Sequence, residues 1–169
     1  MTREQQIKAR YGENKQIADE MYDKSLAIRC VNGTFVGKKE KNIISYKGIP
    51  FVGEQPVGKN RFKKPVPFGK DEGIYEAYHF AKGSLQPATE DDEGSLAVLG
   101  EDCLYLNIWK NAEDTLDKKP VMVWIHGGGF TQGRRCGQTS PGRATPLLAN
   151  TSGGSSPVTT VRRWSLTIP

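Results

Sequence analysis

The sequence is poor in the residues that most often mark a metal or redox site. It has two histidines and three cysteines, and the cysteines stand far apart, at Cys30, Cys103 and Cys136, with no Cys-x-x-Cys pair. This spacing does not fit the common zinc and dithiol motifs. We therefore predict reduced thiols, no metal and no cofactor.

Long apolar runs are also missing. The N-terminus is polar from Met1 onward, without the apolar core of a signal peptide, and no run approaches the length that spans a membrane. These absences predict a cytoplasmic protein with no membrane partner. The 169 residues, 36% apolar and 25% charged, are enough for one ordinary globular domain.

Acidic residues are absent from residues 134–169. Residues 1–133 hold 15 Lys and 4 Arg against 19 Asp and Glu, so the formal charge of +5 comes from the five Arg of the last 36 residues. Nineteen of those 36 are Gly, Pro, Ser or Thr, which bury too little apolar surface to offset the entropy of ordering. We predict a disordered tail at 134–169. Its scattered arginines form no nucleic-acid-binding cluster, so no nucleic-acid partner is expected.

The first half of the chain changes its pattern twice. Residues 3–25 are charged and free of proline, with apolar side chains near the i, i+4 spacing, and predict a helix weakened around Gly12. Residues 28–46 turn to β-branched and aromatic residues around a polar centre, and predict a β-hairpin. Prolines and glycines across 48–69 then predict a long ordered loop.

Two strands are expected further along. Residues 102–109 alternate apolar positions and predict a strand, and residues 121–125, Val-Met-Val-Trp-Ile, predict a strand buried on both faces. Directly after it stands His126-Gly-Gly-Gly-Phe130. Three consecutive glycines remove every Cβ that would keep a ligand from the backbone, so their N–H groups can point outward.

Such N–H groups suit one kind of chemistry in particular. In ester hydrolysis, preorganised donors stabilise the oxyanion of the tetrahedral intermediate, and His-Gly-Gly-Gly loops of lipases and esterases are a known form of this device. Taken alone, the motif is also compatible with a turn that joins a strand to a helix or cradles a phosphate.

The chain resembles the type-B carboxylesterase and cholinesterase family at several places, in the family's order. Gly48-Ile-Pro-Phe51, Pro56-Val-Gly58, Arg61-Phe62 and Pro65 are similar to its early loop, and Glu101-Asp-Cys-Leu-Tyr-Leu-Asn107 is similar to its second signature. The resemblance covers roughly residues 28–133. It implies an α/β class, the N-terminal part of an α/β-hydrolase fold with a β-hairpin, a Pro-rich loop and the first sheet strands.

The resemblance also implies roles for single residues. Gly128 and Gly129 would donate the two loop N–H groups of the oxyanion hole, and Arg61 and Glu101 would form a buried ion pair between the Pro-rich loop and the sheet. Cys103 would be a reduced, buried thiol, because the region matching its disulfide partner in secreted relatives has no cysteine.

The two histidines are expected to have no catalytic part. His126 is not expected to be the catalytic base, which comes far downstream in this fold. His79 has no companion acid or cysteine at a telling spacing and is expected on the surface.

The resemblance ends at about Gly133. The family continues with a Gly-x-Ser-x-Gly nucleophile elbow, an acid and a histidine. The 169 residues of this sequence contain no Gly-x-Ser-x-Gly motif and no histidine after position 126. We therefore interpret residues 1–133 as the N-terminal portion of a carboxylesterase domain in a truncated chain. The composition of 134–169 is what a frameshifted reading would give, and a natural arginine-bearing tail that binds an anionic surface is the alternative.

The function implied by the resemblance is hydrolysis of a small-molecule carboxylic ester by a serine nucleophile. This chain, with the oxyanion loop but neither the nucleophile nor the catalytic histidine, is expected to be inactive alone. The alternative hypothesis is a non-catalytic interaction module with an esterase-like fold. The sequence indicates no oligomeric state and no acyl or alcohol preference.

Overall fold

The computed structural model describes residues 2–18, 21–86, 98–113, 121–123 and 125. In this part of the chain, one helix precedes six strands and two short 3-10 turns at Lys24–Leu26 and Gly58–Asn60. The elements, in chain order, are α1 (Arg3–Arg10), β1 (Ala27–Cys30), β2 (Asn32–Val36), β3 (Lys38–Glu40), β4 (Ile43–Pro50), β5 (Asp71–Glu76) and β6 (Tyr105–Asn111). No helix among these residues is long and apolar enough to cross a membrane.

The strands form two three-stranded sheets. In the first, of order β1-β2-β5, β2 pairs antiparallel with β1 and parallel with β5. In the second, of order β3-β4-β6, both pairings are antiparallel. The core holds Phe35, Ile44, Tyr46 and Ala77, and the Tyr46 side chain is fully enclosed, with 1% of its surface exposed.

The N-terminal helix is much shorter than predicted. It begins at a capping box, in which the Thr2 side chain accepts the Gln5 N–H and the Gln5 side chain accepts the Thr2 N–H, and it ends at Arg10. The chain then runs extended beside β5, where the Ile17 N–H donates to the Ile74 carbonyl at 2.9 Å and the Glu76 N–H to the Lys15 carbonyl at 2.8 Å. These tertiary hydrogen bonds override the weak helix preference of a charged segment that contains glycine.

The single hairpin predicted over residues 28–46 is two hairpins in different sheets. The first turns between Cys30 and Gly33, and the second turns between Glu40 and Ile43. Gly37 lies where the chain passes from one sheet to the other, and a Cβ there would stand 2.7 Å from the Tyr46 ring. Absence of a side chain at Gly37 therefore lets the two hairpins meet over the core.

The later predictions have mixed outcomes. Residues 51–69 form an ordered loop, as predicted, although β4 occupies the first positions of the predicted range. The strand expected at 102–109 is observed as β6, Tyr105–Asn111.

The predicted buried strand is wrong for the described part of 121–125. Residues 121–123 and 125 are not in a strand, and the Val121 and Ile125 side chains are 75% and 83% exposed. A strand buried on both faces needs neighbouring strands and covering layers, and no described strand pairs with these residues. The tail at 134–169 lies outside the described residues.

Candidate functional site

The predicted oxyanion donors, Gly128 and Gly129, lie outside the described residues, as does His126. The structure does describe the two other motif segments. Gly48-Ile-Pro stands at the end of β4, and Tyr105-Leu-Asn107 begins β6. Because β4 pairs with β6, segments that are more than fifty residues apart in the sequence lie side by side in one sheet.

A β-bulge joins these two segments. Tyr46 is opposite Ile108 and Ile49 is opposite Leu106, so three steps along β4 match two along β6. The extra residue is accommodated at Gly48, whose φ is +69° and whose N–H donates to the Asn107 side-chain oxygen at 2.9 Å. A glycine suits this position because the left-handed region is unfavourable for residues with a Cβ.

Asn14 fastens the extended N-terminal segment to this bulge. Its Nδ2 donates to the Lys47 carbonyl at 2.8 Å and to the His79 carbonyl at 3.3 Å, and its Oδ1 accepts the N–H groups of Tyr78 and His79 at 2.9 and 3.0 Å. One half-buried side chain thus connects the N-terminal segment, β4 and the chain that follows β5. Sequence analysis missed Asn14, because all its partners are backbone groups at least 33 residues away.

The Pro-rich loop is tied to the start of β6 by side chains. Arg61 Nε lies 2.9 Å from Glu101 Oε1, so the predicted ion pair forms. Its burial is the part of the prediction that is wrong, since the two side chains are 56% and 31% exposed. The exposure follows from the position of Arg61 on an outward-facing loop, where its guanidinium lies 5.0 Å from the centroid of the exposed Phe62 ring.

A second link in the same place was not predicted. The Gln55 side-chain amide pairs with the backbone of Leu104 like a second peptide group, with Oε1 accepting the Leu104 N–H at 2.9 Å and Nε2 donating to the Leu104 carbonyl at 3.2 Å. The Phe51 N–H also donates to that carbonyl, at 3.2 Å. Backbone and side-chain contacts together therefore fix the loop against the second signature.

Cysteine and histidine predictions are partly corrected. Cys103 is reduced, as expected, but half-buried rather than buried, and Cys30 is reduced and exposed. His79 is half-buried rather than on the surface, because its ring packs against Gly12, where a Cβ would stand 2.9 Å from the ring. The His79 Nδ1 atom is buried and has no hydrogen-bond partner among the described residues.

The clearest electrostatic coupling in the described chain lies at β5. The Tyr75 O–H donates to Asp71 Oδ2 at 2.6 Å, and with the Gly73 N–H it lowers the pKa of the Asp71 carboxyl. The same bond to Asp71 raises the pKa of Tyr75.

No group of three His, Cys, Asp or Glu among the described residues could hold a metal ion. The described contacts therefore brace the motif segments and bring no reacting groups together.

Comparisons with known proteins agree with this arrangement. A model of the carboxylesterase family matches residues 23–144. The chain is 42% identical over 106 residues to the para-nitrobenzyl esterase of Bacillus subtilis, covering 60% of this chain and 21% of the relative. It is 35% identical over 112 residues to an acetylcholinesterase of Danio rerio, covering 61% of this chain and 18% of the relative.

Solved structures show the same similarity. A thermophilic PNB esterase superposes with a TM-score of 0.57 at 34% identity, covering 64% of this chain and 23% of that one. A Geobacillus stearothermophilus carboxylesterase gives a TM-score of 0.53 at 35% identity, covering 64% and 21%. These superpositions confirm that the chain folds as part of an α/β-hydrolase.

The matched region contains all the motif segments. Residues 23–144 include the glycine loop of residues 126–130, the bulge at Gly48 and the pair Arg61–Glu101. The chain spans about a fifth of the length of the curated relatives it matches. Because a family model matches well over half of its residues, the chain belongs to the carboxylesterase family.

Proposed function

We propose that this chain supplies the oxyanion-hole loop of a serine carboxylesterase that hydrolyses a small-molecule carboxylic ester. The observation that carries the proposal is the position of His126-Gly-Gly-Gly-Phe130, inside the range matched by the carboxylesterase family and after Glu101-Asp-Cys-Leu-Tyr-Leu-Asn107. The glycine loop by itself is compatible with other roles. Its order and spacing within a family match support the esterase role.

The proposed chemistry assigns one task to Gly128 and Gly129. When a serine oxygen attacks an ester carbonyl, the carbonyl oxygen becomes an oxyanion, and two backbone N–H groups at a fixed position stabilise that charge more than they stabilise the neutral ester. Each donor of this kind contributes on the order of 3 kcal/mol to lowering the barrier. A third donor would be the N–H of the residue after the nucleophile.

The described contacts support this role indirectly. Preorganisation requires that donors do not move when charge develops, and the motif segments that precede the glycine loop in the sequence are held to one another by several independent links. The bulge bond between Gly48 and Asn107, the pairing of Gln55 with Leu104, and the contact of Arg61 with Glu101 all fix β6. We infer that these links hold the Pro-rich loop, β4 and β6 in one fixed arrangement ahead of the glycine loop in the sequence.

We also propose that the 169-residue polypeptide does not hydrolyse esters by itself. These residues contain no Gly-x-Ser-x-Gly segment and no histidine after position 126, so an attacking serine and its base would have to come from elsewhere. We expect the purified polypeptide to hydrolyse p-nitrophenyl esters no faster than a buffer blank. Hydrolysis that a serine-directed phosphonate abolishes would contradict this expectation.

A chimera tests the oxyanion role itself. Residues 23–133 of this chain would replace the matching segment of the Bacillus subtilis para-nitrobenzyl esterase, to which this chain is 42% identical over 106 residues. We expect an active, phosphonate-sensitive chimera in which Gly128→Pro, a change that removes one N–H, lowers kcat by about 100-fold to 1000-fold with little change in KM.

The control in the chimera is Gly58→Ala, because a Cβ at Gly58 meets nothing within 4 Å. This variant should keep kcat. A folded chimera that binds substrate but never reacts would argue for the non-catalytic interaction module instead.

A further inference from the structure

An extended N-terminal segment lies along the edge of the first sheet. In that sheet β5 is the last strand of the order β1-β2-β5. Residues 11–17, which we call the docking segment, run beside residues 74–80, which we call the acceptor. An isolated β-bridge pairs Gln16 with Tyr75, and the two backbone hydrogen bonds already described lie on either side of it. The docking segment thus binds as an added strand, in the way that many extended peptides bind a sheet edge.

Asn14 connects the docking segment to the backbone of the acceptor. Its Oδ1 accepts the Tyr78 and His79 N–H groups, and its Nδ2 donates to the His79 carbonyl. These bonds require an acceptor and a donor on one short side chain, which an amide provides, whereas a carboxylate offers acceptors only. Because Asn14 binds the peptide groups of two particular residues, its contacts fix the docking segment in one register.

Gly12 and Tyr11 add a steric and an aromatic requirement. A Cβ at Gly12 would stand 2.9 Å from Cγ and 3.1 Å from Nδ1 of the His79 ring, closer than packed carbon atoms approach one another. The Tyr11 ring packs on Phe80, with the two ring centroids 6.2 Å apart. The acceptor therefore selects an aromatic residue, a glycine directly after it and an asparagine two positions later.

The docking segment and the acceptor differ in their relation to the family. The carboxylesterase family model matches residues 23–144, which include the acceptor but not the docking segment. The two segments contact each other through hydrogen bonds, β-bridges and ring packing. None of these contacts requires that the chain between the segments be continuous. A separate peptide with the residues of the docking segment could therefore make the same contacts.

We propose that the acceptor is a binding site for an extended peptide with the pattern aromatic-Gly-x-Asn, and that the docking segment occupies this site reversibly. A short connection within one chain gives the docking segment an effective concentration in the millimolar range. A peptide supplied as a separate molecule therefore competes poorly until the docking segment is weakened. The proposal does not depend on the proposed esterase role.

Fluorescence anisotropy of a labelled peptide of residues 10–18 tests the proposal with the full 169-residue chain. The unmodified chain should bind the peptide weakly, because its own docking segment fills the site. Asn14→Ala in the chain should release that segment and tighten peptide binding about 30-fold. The same replacement in the peptide should weaken its binding to the Asn14→Ala chain about 30-fold. One substitution thus has opposite effects in the chain and in the peptide.

Gly12→Ala in the chain releases the docking segment in an independent way. Because the added Cβ meets the His79 ring, this variant should bind the unmodified peptide about tenfold more tightly than the unmodified chain does. Asn111→Ala is the matched control for the chain, since Asn111 accepts one exposed bond from Glu113, and it should leave peptide binding unchanged. Gln16→Ala is the control for the peptide, because the β-bridge uses only its backbone and its side chain is exposed. That peptide should retain its binding.

Urea denaturation distinguishes specific binding from adhesion to an unfolded chain. A saturating amount of the unmodified peptide should restore the stability that Asn14→Ala removes from the chain, and should fold this variant if it is unfolded alone. The peptide that carries Asn14→Ala should do neither. Equal binding of the two peptides, or no gain in peptide binding for either chain variant, would overturn the proposal. A failure of the unmodified peptide to stabilise the Asn14→Ala chain would overturn it as well.

Discussion

The Asn14 side chain pairs with the peptide groups of His79 as a second strand would. Its Oδ1 accepts the His79 N–H at 3.0 Å and its Nδ2 donates to the His79 carbonyl at 3.3 Å, across 65 residues of sequence. The same amide also bonds Lys47 and Tyr78. This one residue therefore couples the N-terminal segment to β4 and to the chain that follows β5.

Removing this amide should destabilise the fold. Asn14→Ala removes the hydrogen bonds that half-buried backbone groups of Lys47, Tyr78 and His79 make with this side chain. We expect a loss of about 2–3 kcal/mol in the free energy of unfolding, measured by urea denaturation. Asn111→Ala is the control, because that side chain accepts a single exposed bond from Glu113. It should cost less than about 1 kcal/mol, and equal losses in the two variants would contradict the role assigned to Asn14.

Gly48→Ala should be among the most damaging single substitutions. A Cβ at Gly48 would stand 2.6 Å from the His79 carbonyl oxygen and 2.7 Å from Asn14 Nδ2, at a φ of +69°. Steric and conformational costs then add, and we expect at least about 3 kcal/mol.

Gly58→Ala separates the two costs in the same urea series. Gly58 also has a positive φ, +56°, but a Cβ there meets nothing within 4 Å. Only the conformational cost of about 1–2 kcal/mol applies to it. If the two variants were equally stable, the close approach of His79 to Gly48 would not matter.

The pair Arg61–Glu101 should contribute less than a buried ion pair. Because the side chains are 56% and 31% exposed, solvent screens the attraction, and a double-mutant cycle with Arg61→Gln and Glu101→Gln should give a coupling of about 1 kcal/mol or less. Lys70 and Glu72, 3.5 Å apart and 79% and 69% exposed, provide a reference pair with a coupling near zero. A coupling of about 3 kcal/mol for Arg61–Glu101 would indicate a buried pair instead.

The hydrogen bond between Tyr75 and Asp71 should leave a signature at both ends of the pH range. The bond lowers the pKa of Asp71, so its stabilisation is present above the unfolded value of about 3.9 and is lost as pH falls through the folded pKa. It raises the pKa of Tyr75, so its stabilisation is present below about 10 and is lost as pH rises through the folded pKa.

Tyr75→Phe tests this linkage. The free energy that this variant loses should be constant at intermediate pH and should shrink in acid and in strong base, and carbon-detected NMR should show the Asp71 pKa rising towards its ordinary value. Tyr78→Phe is the control, because burial is the main cause of the raised pKa of Tyr78. An Asp71 pKa that does not respond to Tyr75→Phe would contradict the assignment.

The sequence by itself determined the family and the motif segments. Gly48-Ile-Pro-Phe51 and the segment 101–107 are recognisable because local geometry restricts their residue types: glycine at a positive φ, and apolar residues in a paired strand. The order of these motifs therefore predicted the α/β-hydrolase class, and with it the contact between Arg61 and Glu101, before any coordinates.

Only the tertiary structure decided how the segments pack. The charged residues 3–25, which have helical spacing, form a helix only at Arg3–Arg10. The chain after this helix is extended, because its backbone forms hydrogen bonds with β5, some sixty residues away in the sequence. The same long-range placement set the exposure of Arg61, the half-burial of His79 and the role of Asn14. The exposure of a side chain and its hydrogen-bond partners depend on residues far away in the sequence that lie next to it in the fold. Local sequence patterns therefore do not predict them.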